Sequence, residues 1–183
     1  GMKVISPWSA ADAKGLLKAA IRDPHPVVFL EHKLLYNSRD EVPDGDHLCE
    51  IGKARTAREG SDVSIFATSK MVHDALKAAT ELEADGISAE VIDLRTLRPL
   101  DNTAIVQSVK KTNHAVVVNE GWRFCGFGAE LSATIMEQAF DDLDAPVERL
   151  GTFDMPIPYS EPLETSVLPD AEKIAAAARR ALR

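Results

Sequence analysis

The 183 residues include only two cysteines, Cys49 and Cys125, and neither stands in a C-x-x-C pair. That spacing argues against a zinc knuckle or a dithiol redox centre, and two free thiols fit a reducing compartment. No apolar run approaches 18 residues, so no segment is long enough to cross a membrane as a helix. The first residues carry no secretory leader pattern. Positive charge is also scarce. The 21 lysines and arginines stand against 29 aspartates and glutamates, for a net charge of -8 and an isoelectric point near 5.1. Without a basic stripe, nucleic acid and anionic membranes are poor partners, whereas a basic protein suits the surface. There is no G-x-S-x-G elbow and no P-loop. The five histidines (His25, His32, His47, His73 and His114) never stand four apart, which argues against a metal cage. His32 and His47 are expected to be solvated. No internal repeat or low-complexity stretch occurs.

Hydrophobic content of 45% and charged content of 27% are ordinary for a soluble globular chain and suffice for a core; the length suits one compact domain by default and leaves one domain plus part of another open. Val4-Ile5 open a short strand. Ser9, with Asp12 three residues on, reads as a capping box for a helix from about Ala10 to Arg22. Asp23-Pro24-His25-Pro26 ends that helix, and Pro26 to Glu31 reads as a buried strand. This β-α-β piece is too small to fold alone, so residues 1–36 are expected to be the tail of a larger domain. Residues 37–60 are polar and rich in turn formers, the expected linker.

From residue 61 to 183 the pattern alternates. Strands are expected at Val63–Thr68, Ala89–Asp93, Ala115–Val118 and Pro146–Leu150. Helices are expected at about Lys70–Ala84, from Asp101 to Lys111, from Gly128 to about Phe140, and after Asp170. This order predicts a three-layer α/β/α domain with a mostly parallel sheet.

Two segments carry charge or glycine where such sheets place their sites. Asp93, Arg95 and Arg98 follow the C-terminal end of a strand. Opposite charges there also simply pair and hold a loop, which is the favoured reading. Gly126-Phe127-Gly128 opens a helix and would suit an anion, so a non-catalytic α/β nucleotide-binding module stays open as an alternative. The motif lacks a third glycine, and a tight turn for close packing is favoured.

D-L-R-T-L-R-P-L-D (93–101), E-G-W (120–122) and G-F-G-A-E (126–130) resemble one family closely, together with the opening segment through A-I-R-D, I-G-K-A-R, L-D-A-P-V-E-R and D-M-P-I-P-Y. It is the β subunit of thiamine-diphosphate-dependent 2-oxo acid dehydrogenases, the E1 component. The resemblance implies a transketolase C-terminal-like domain of about five strands with one antiparallel, preceded by the tail of a pyrimidine-binding α/β domain. It also implies a C-terminal fragment. Gly1-Met2 leaves two origins open, a scar ahead of an initiator methionine or a start inside a longer protein.

In that family the catalytic glutamate and histidine lie upstream of the matching segment. The α subunit holds the diphosphate and Mg²⁺ through a G-D-G…N motif that is absent here. The resemblance therefore implies no catalytic or cofactor-binding residue in these 183 residues and no activity of this part alone. It assigns them to assembly of a heterotetramer of two α and two β subunits and to docking of the lipoyl-bearing E2 core. Asp144 is the position expected to receive the basic subunit-binding domain of E2. The main-chain carbonyls of Ala20, Asp23 and His25 are the expected, incomplete ligands of a structural potassium ion. Pyruvate is the leading substrate of the whole enzyme, with acetoin and branched-chain 2-oxo acids as alternatives. The location implied is the bacterial cytoplasm or the mitochondrial matrix.

Overall fold

The structure is a computed structural model and describes residues 1–183. A parallel βαβ unit opens the chain: β1 (Lys3–Ile5), α1 (Ala10–Arg22) and β2 (Val27–Phe29). Ser9 caps α1: its Oγ accepts the Asp12 N–H at 3.1 Å and donates to the Asp12 carboxylate at 2.6 Å. Inside the continuous helix Gly15 leaves room for Cys49, because a Cβ there would meet the Cys49 sulfur at 2.4 Å. Val27–Phe29 is not the buried strand its apolar run suggested. It is the outer strand of a small sheet and is half-exposed along its length. A short apolar run does not reveal whether a neighbour covers it.

The remaining elements are β3 (Arg55–Arg58), β4 (Val63–Ala67), α2 (Lys70–Ala84), β5 (Ala89–Asp93), β6 (Thr96–Arg98), α3 (Asn102–Thr112), β7 (Ala115–Trp122), α4 (Phe127–Ala139), β8 (Glu148–Thr152), α5 (Glu161–Val167) and α6 (Ala171–Ala181). Five of these strands form one sheet in the order β3-β5-β4-β7-β8, parallel except for β3. Helices α2 and α6 cover one face, and α3 and α4 the other. This is the three-layer α/β/α architecture expected, including its single antiparallel strand. β4 and β5 are buried at every residue because both their faces are covered. Ala175, Ala177 and Ala178 are fully buried, and their small size lets α6 lie close on α2 and β7.

One group of polar residues inside these layers is joined by side-chain hydrogen bonds. Ser64 Oγ lies 2.6 Å from Ser108 Oγ and 2.7 Å from Thr112 Oγ1. Ser108 also donates to Glu90, which takes Lys111 as its counter-ion. A serine and a glutamate are thereby accommodated in the buried strands β4 and β5.

Two strands depart from the sequence reading. β3 lies inside the stretch 37–60 that was read as linker. Its R-T-A-R pattern has no apolar run to announce a strand, and its ladder with β5 contains a bulge. The rest of that stretch is laid along α1 by polar contacts: Lys14 Nζ donates to the Pro43 carbonyl at 2.6 Å, and Arg22 grips Asp46 with two bonds of 2.9 and 3.0 Å. β6, read as a loop, pairs antiparallel with β1, placing Val4 opposite Arg98 and Ile5 opposite Thr96. The small sheet β2-β1-β6 therefore joins the opening unit to the main body.

Gly60 leads into β4 so close to the neighbouring strand that a Cβ would fall 2.2 Å from the Ala89 carbonyl carbon. Backbone cannot swing aside as a side-chain tip can. Gly60→Ala is expected to cost about 1–3 kcal/mol. The check is a lower urea midpoint with an unchanged slope.

Candidate functional site

The junction between the two units centres on Asp12, which is fully buried. Its carboxylate receives Arg95 Nη2 through a short bond and Arg55 Nη2 at 3.2 Å. Arg55 also lies over the Trp8 ring, 5.2 Å from its centroid. The Cys49 thiol points at Asp12 Oδ1 at 3.7 Å and stands 3.4 Å from His47 Nε2. Burial pushes the Cys49 thiol up from its ordinary value, so it is a poor nucleophile. Asp93, also fully buried, accepts the Arg95 N–H at 3.0 Å on Oδ1, while its Oδ2 has no partner. Desolvation, reinforced by the charge of Asp12, raises Asp93 to about 7.

This geometry revises the reading of the Asp93 loop. The charges do pair and hold the loop, but the Arg95 guanidinium reaches Asp12 on α1 rather than Asp93. Arg98 is exposed and takes no part in the cluster. Sequence reasoning saw Asp12 only as a capping residue and placed Arg55 in the linker. Nothing in one sequence signals that residues 12, 55 and 95 meet.

Open α/β sheets bind ligands beyond the carboxyl ends of strands where the strand order reverses. Here that place lies between β4 and β7, beyond Thr68, Ser69, Asn119 and Glu120. A cleft of about 330 Å³ is present, but Ser6, Leu30, His32 and Leu97 of the small-sheet region form its other wall. His32 is not solvated as expected: its Nε2 stands 3.0 Å from Glu120 Oε2, and its Nδ1 accepts the Leu34 N–H at 3.2 Å. His47 likewise is half-buried against Cys49. The usual ligand crevice thus serves to join the two units.

The glycine turn before α4 is filled by packing. A Cβ on Gly126 would come 1.9 Å from the Trp122 carbonyl oxygen, and one on Gly128 would come 2.7 Å from Asn119 Oδ1. These glycines allow the helix to approach β7 closely, which agrees with the favoured reading.

At the end of α1, the Ala20 carbonyl accepts only a long bond of 3.3 Å from the Asp23 N–H. The Asp23 carboxylate binds Lys3 and accepts the His25 N–H at 2.9 Å. Lys3 first, then that N–H, hold Asp23 down to about 2. Asp144 stands elsewhere, exposed in the turn before β8 and held through its N–H to the Asn113 carbonyl at 2.9 Å. Its neighbour Asp142 faces Lys110 at 3.7 Å. Past the other end of β8, Trp122, Phe124, Phe153 and Met155 are exposed. Sequence analysis singled out none of these four as a surface.

The family described as "Transketolase, C-terminal domain" matches residues 52–174. The mitochondrial pyruvate dehydrogenase E1 component subunit beta of Dictyostelium discoideum is 52% identical over 98% of this chain and 52% of that protein. The Pisum sativum counterpart is 55% identical over 99% of this chain and 52% of its own length. The Rickettsia conorii subunit is 48% identical over 98% of this chain and 55% of its own length. The chain spans about half the length of these curated relatives. Among solved structures, a split gene transketolase described as an "inactive beta4 tetramer" superposes with a TM-score of 0.82 at 31% identity, covering 99% of this chain and 57% of that one.

Asp93 yields a pH signature. Its folded value of about 7 stands above the ordinary 3.8. The raised group therefore favours the fold at low pH, and that contribution is lost as pH rises from about 4 through 7. Asp93→Asn keeps an acceptor for the Arg95 N–H and cannot ionise. Its stability relative to the parent should climb between pH 4 and 7 and then level off, by at most roughly 4 kcal/mol. Urea titrations of both proteins across that range check this, and a pH-independent difference would refute an ionising Asp93.

Proposed function

The chain belongs to the transketolase C-terminal domain family, and on that premise we propose that it is the C-terminal part of the β subunit of a thiamine-diphosphate-dependent 2-oxo acid dehydrogenase E1, with pyruvate as the substrate of the whole enzyme. About half of the residues are identical to pyruvate dehydrogenase β subunits across nearly the whole chain, and this observation carries the reading. In this role residues 1–36 close the pyrimidine-binding domain and the main body is the C-terminal domain. The partners are an E1 α subunit, a second β subunit and the E2 core. The setting is the mitochondrial matrix or the bacterial cytoplasm, a reading supported by relatives named as mitochondrial and by one from Rickettsia conorii.

The residues present do not fit a diphosphate or Mg²⁺ site. The glycine turn before α4 is occupied by close packing, and the buried carboxylate Asp12 is spent on two arginines. Thiamine diphosphate and its Mg²⁺ therefore belong elsewhere in the assembly, and no step of the decarboxylation is assigned here. What this chain supplies is a rigid body whose junction is fixed by Asp12 and whose surface is available for assembly and docking.

The loop after α1 fits a potassium ion in part. A helix C-terminus offers carbonyl oxygens, and hard cations take oxygen donors. Ala20, Asp23 and His25 would contribute main-chain oxygens, with a further ligand from outside these residues. Potassium should then raise the melting temperature of the assembled enzyme above that in equal sodium. Equal melting in both salts would remove the ion from the proposal.

Asp144 is the proposed docking carboxylate. It is exposed beside Asp141 and Asp142, in an acidic turn suited to a small basic domain. Calorimetric titration with the E2 subunit-binding domain should show binding that weakens with salt, and Asp144→Ala should weaken it about tenfold or more. Tight binding indifferent to both salt and the substitution would displace Asp144 from this role.

A further inference from the structure

β8 is the last strand of the five-stranded sheet, and its outer edge makes no main-chain hydrogen bond to any other segment. An open edge is a template for another extended chain. Beside it lies a cleft of about 450 Å³, bordered by β8 residues from Arg149 to Thr152. Phe124 and Phe153 stand at this cleft, 70% and 65% exposed, and Leu168 and Pro169 line it. The Trp122 indole N–H donates to the Met155 carbonyl at 3.2 Å, and the Arg123 N–H donates to Thr152 at 3.0 Å. These two bonds hold the aromatic loops side by side, so the apolar surface is built rather than scattered.

The charge here runs against that of the molecule. Arg123, Arg149 and Lys173 line the cleft, and Asp154 is its one acid. Lys173 is occupied by the carbonyls of Thr165, Ser166 and Leu168 and by Asp170. Neither Arg123 nor Arg149 takes part in an ion pair; Arg39, Arg98 and Arg183 are likewise unpaired, and Arg22, Arg55, Arg58, Arg95, Arg179 and Arg180 are paired. A chain of net charge -8 thus keeps two free guanidiniums at an apolar cleft beside an open strand edge. Guanidinium forks bind carboxylates in preference to other groups.

We propose that the β8 edge and this cleft receive an extended acidic segment of a partner protein, one that places a large apolar side chain between Phe124 and Phe153 and carboxylates on Arg123 and Arg149. The surface lies past the opposite end of β8 from Asp144 and selects the opposite charge. It stands apart from the proposed E2 docking, so either can fail without the other.

The probe is a labelled, acetylated pentapeptide that alternates glutamate with phenylalanine and leucine. Its counterpart replaces each glutamate with lysine. Fluorescence anisotropy with the 183-residue chain should show saturable binding of the acidic peptide only. Arg149→Glu and Arg123→Glu should each weaken it at least tenfold, while Arg98→Glu, an equal charge change at an exposed site elsewhere, should not. Hydrogen exchange should slow at the β8 amides when the acidic peptide is added. Equal binding of both peptides, no saturable binding, or indifference to both cleft substitutions would overturn the proposal. So would self-association, seen by analytical ultracentrifugation, that Arg149→Glu abolishes, because the face would then belong to a second copy of this chain.

Discussion

One buried carboxylate holds the two parts of this chain in register. Asp12 sits in the first turn of α1, yet its side chain faces the main body, where Arg55 and Arg95 converge on it. Removing a carboxylate from water is costly, and only a nearby opposite charge with good geometry offsets that cost. Two guanidiniums on one carboxylate meet the condition and tie α1 to β3 and to the loop after β5, although the Nε atoms of Arg55 and Arg95 are left without partners. The neighbouring Asp93 is the counterpart of this arrangement. With both arginines drawn toward Asp12, it is left with an unpartnered oxygen. Ionisation there is opposed by burial first and by Asp12 second.

The layers of the fold were legible wherever local signals were strong. The helices at Ala10–Arg22 and Lys70–Ala84 follow from apolar residues at helical spacing, with Ser9 capping the first and Gly86 ending the second. The strand Ala89–Asp93 follows from its β-branched Val91-Ile92 between turns. β3 and β6 stayed hidden for a shared reason. R-T-A-R and T-L-R are short and half polar, and each becomes a strand only because a long-range partner is present, β5 for one and β1 for the other. Tertiary pairing decides such segments, and propensity does not.

The site was less legible than the fold because its members come from different elements. The meeting of residues 12, 55, 93 and 95, the pairing of His32 with Glu120, and the seating of Cys49 on Gly15 are products of topology. The resemblance to a known family supplied what periodicity could not, namely the antiparallel strand in the large sheet. The crevice that comparable sheets reserve for a ligand is walled by the opening unit. The two surfaces proposed for partners therefore lie outside that crevice, at the acidic turn before β8 and at the apolar, basic cleft past it.

The register of the small sheet has a kinetic corollary. Val4 lies opposite Arg98, so β1 must wait for a partner made roughly ninety residues later, and such distant closure is slow. On the ribosome, the first strand emerges well before the segment that pairs with one of its edges. Until β6 is in place, that edge can recruit strands from other nascent chains. For this pair of strands the order of synthesis therefore runs against the order of assembly, and the β1 edge is exposed to misassociation until β6 has formed.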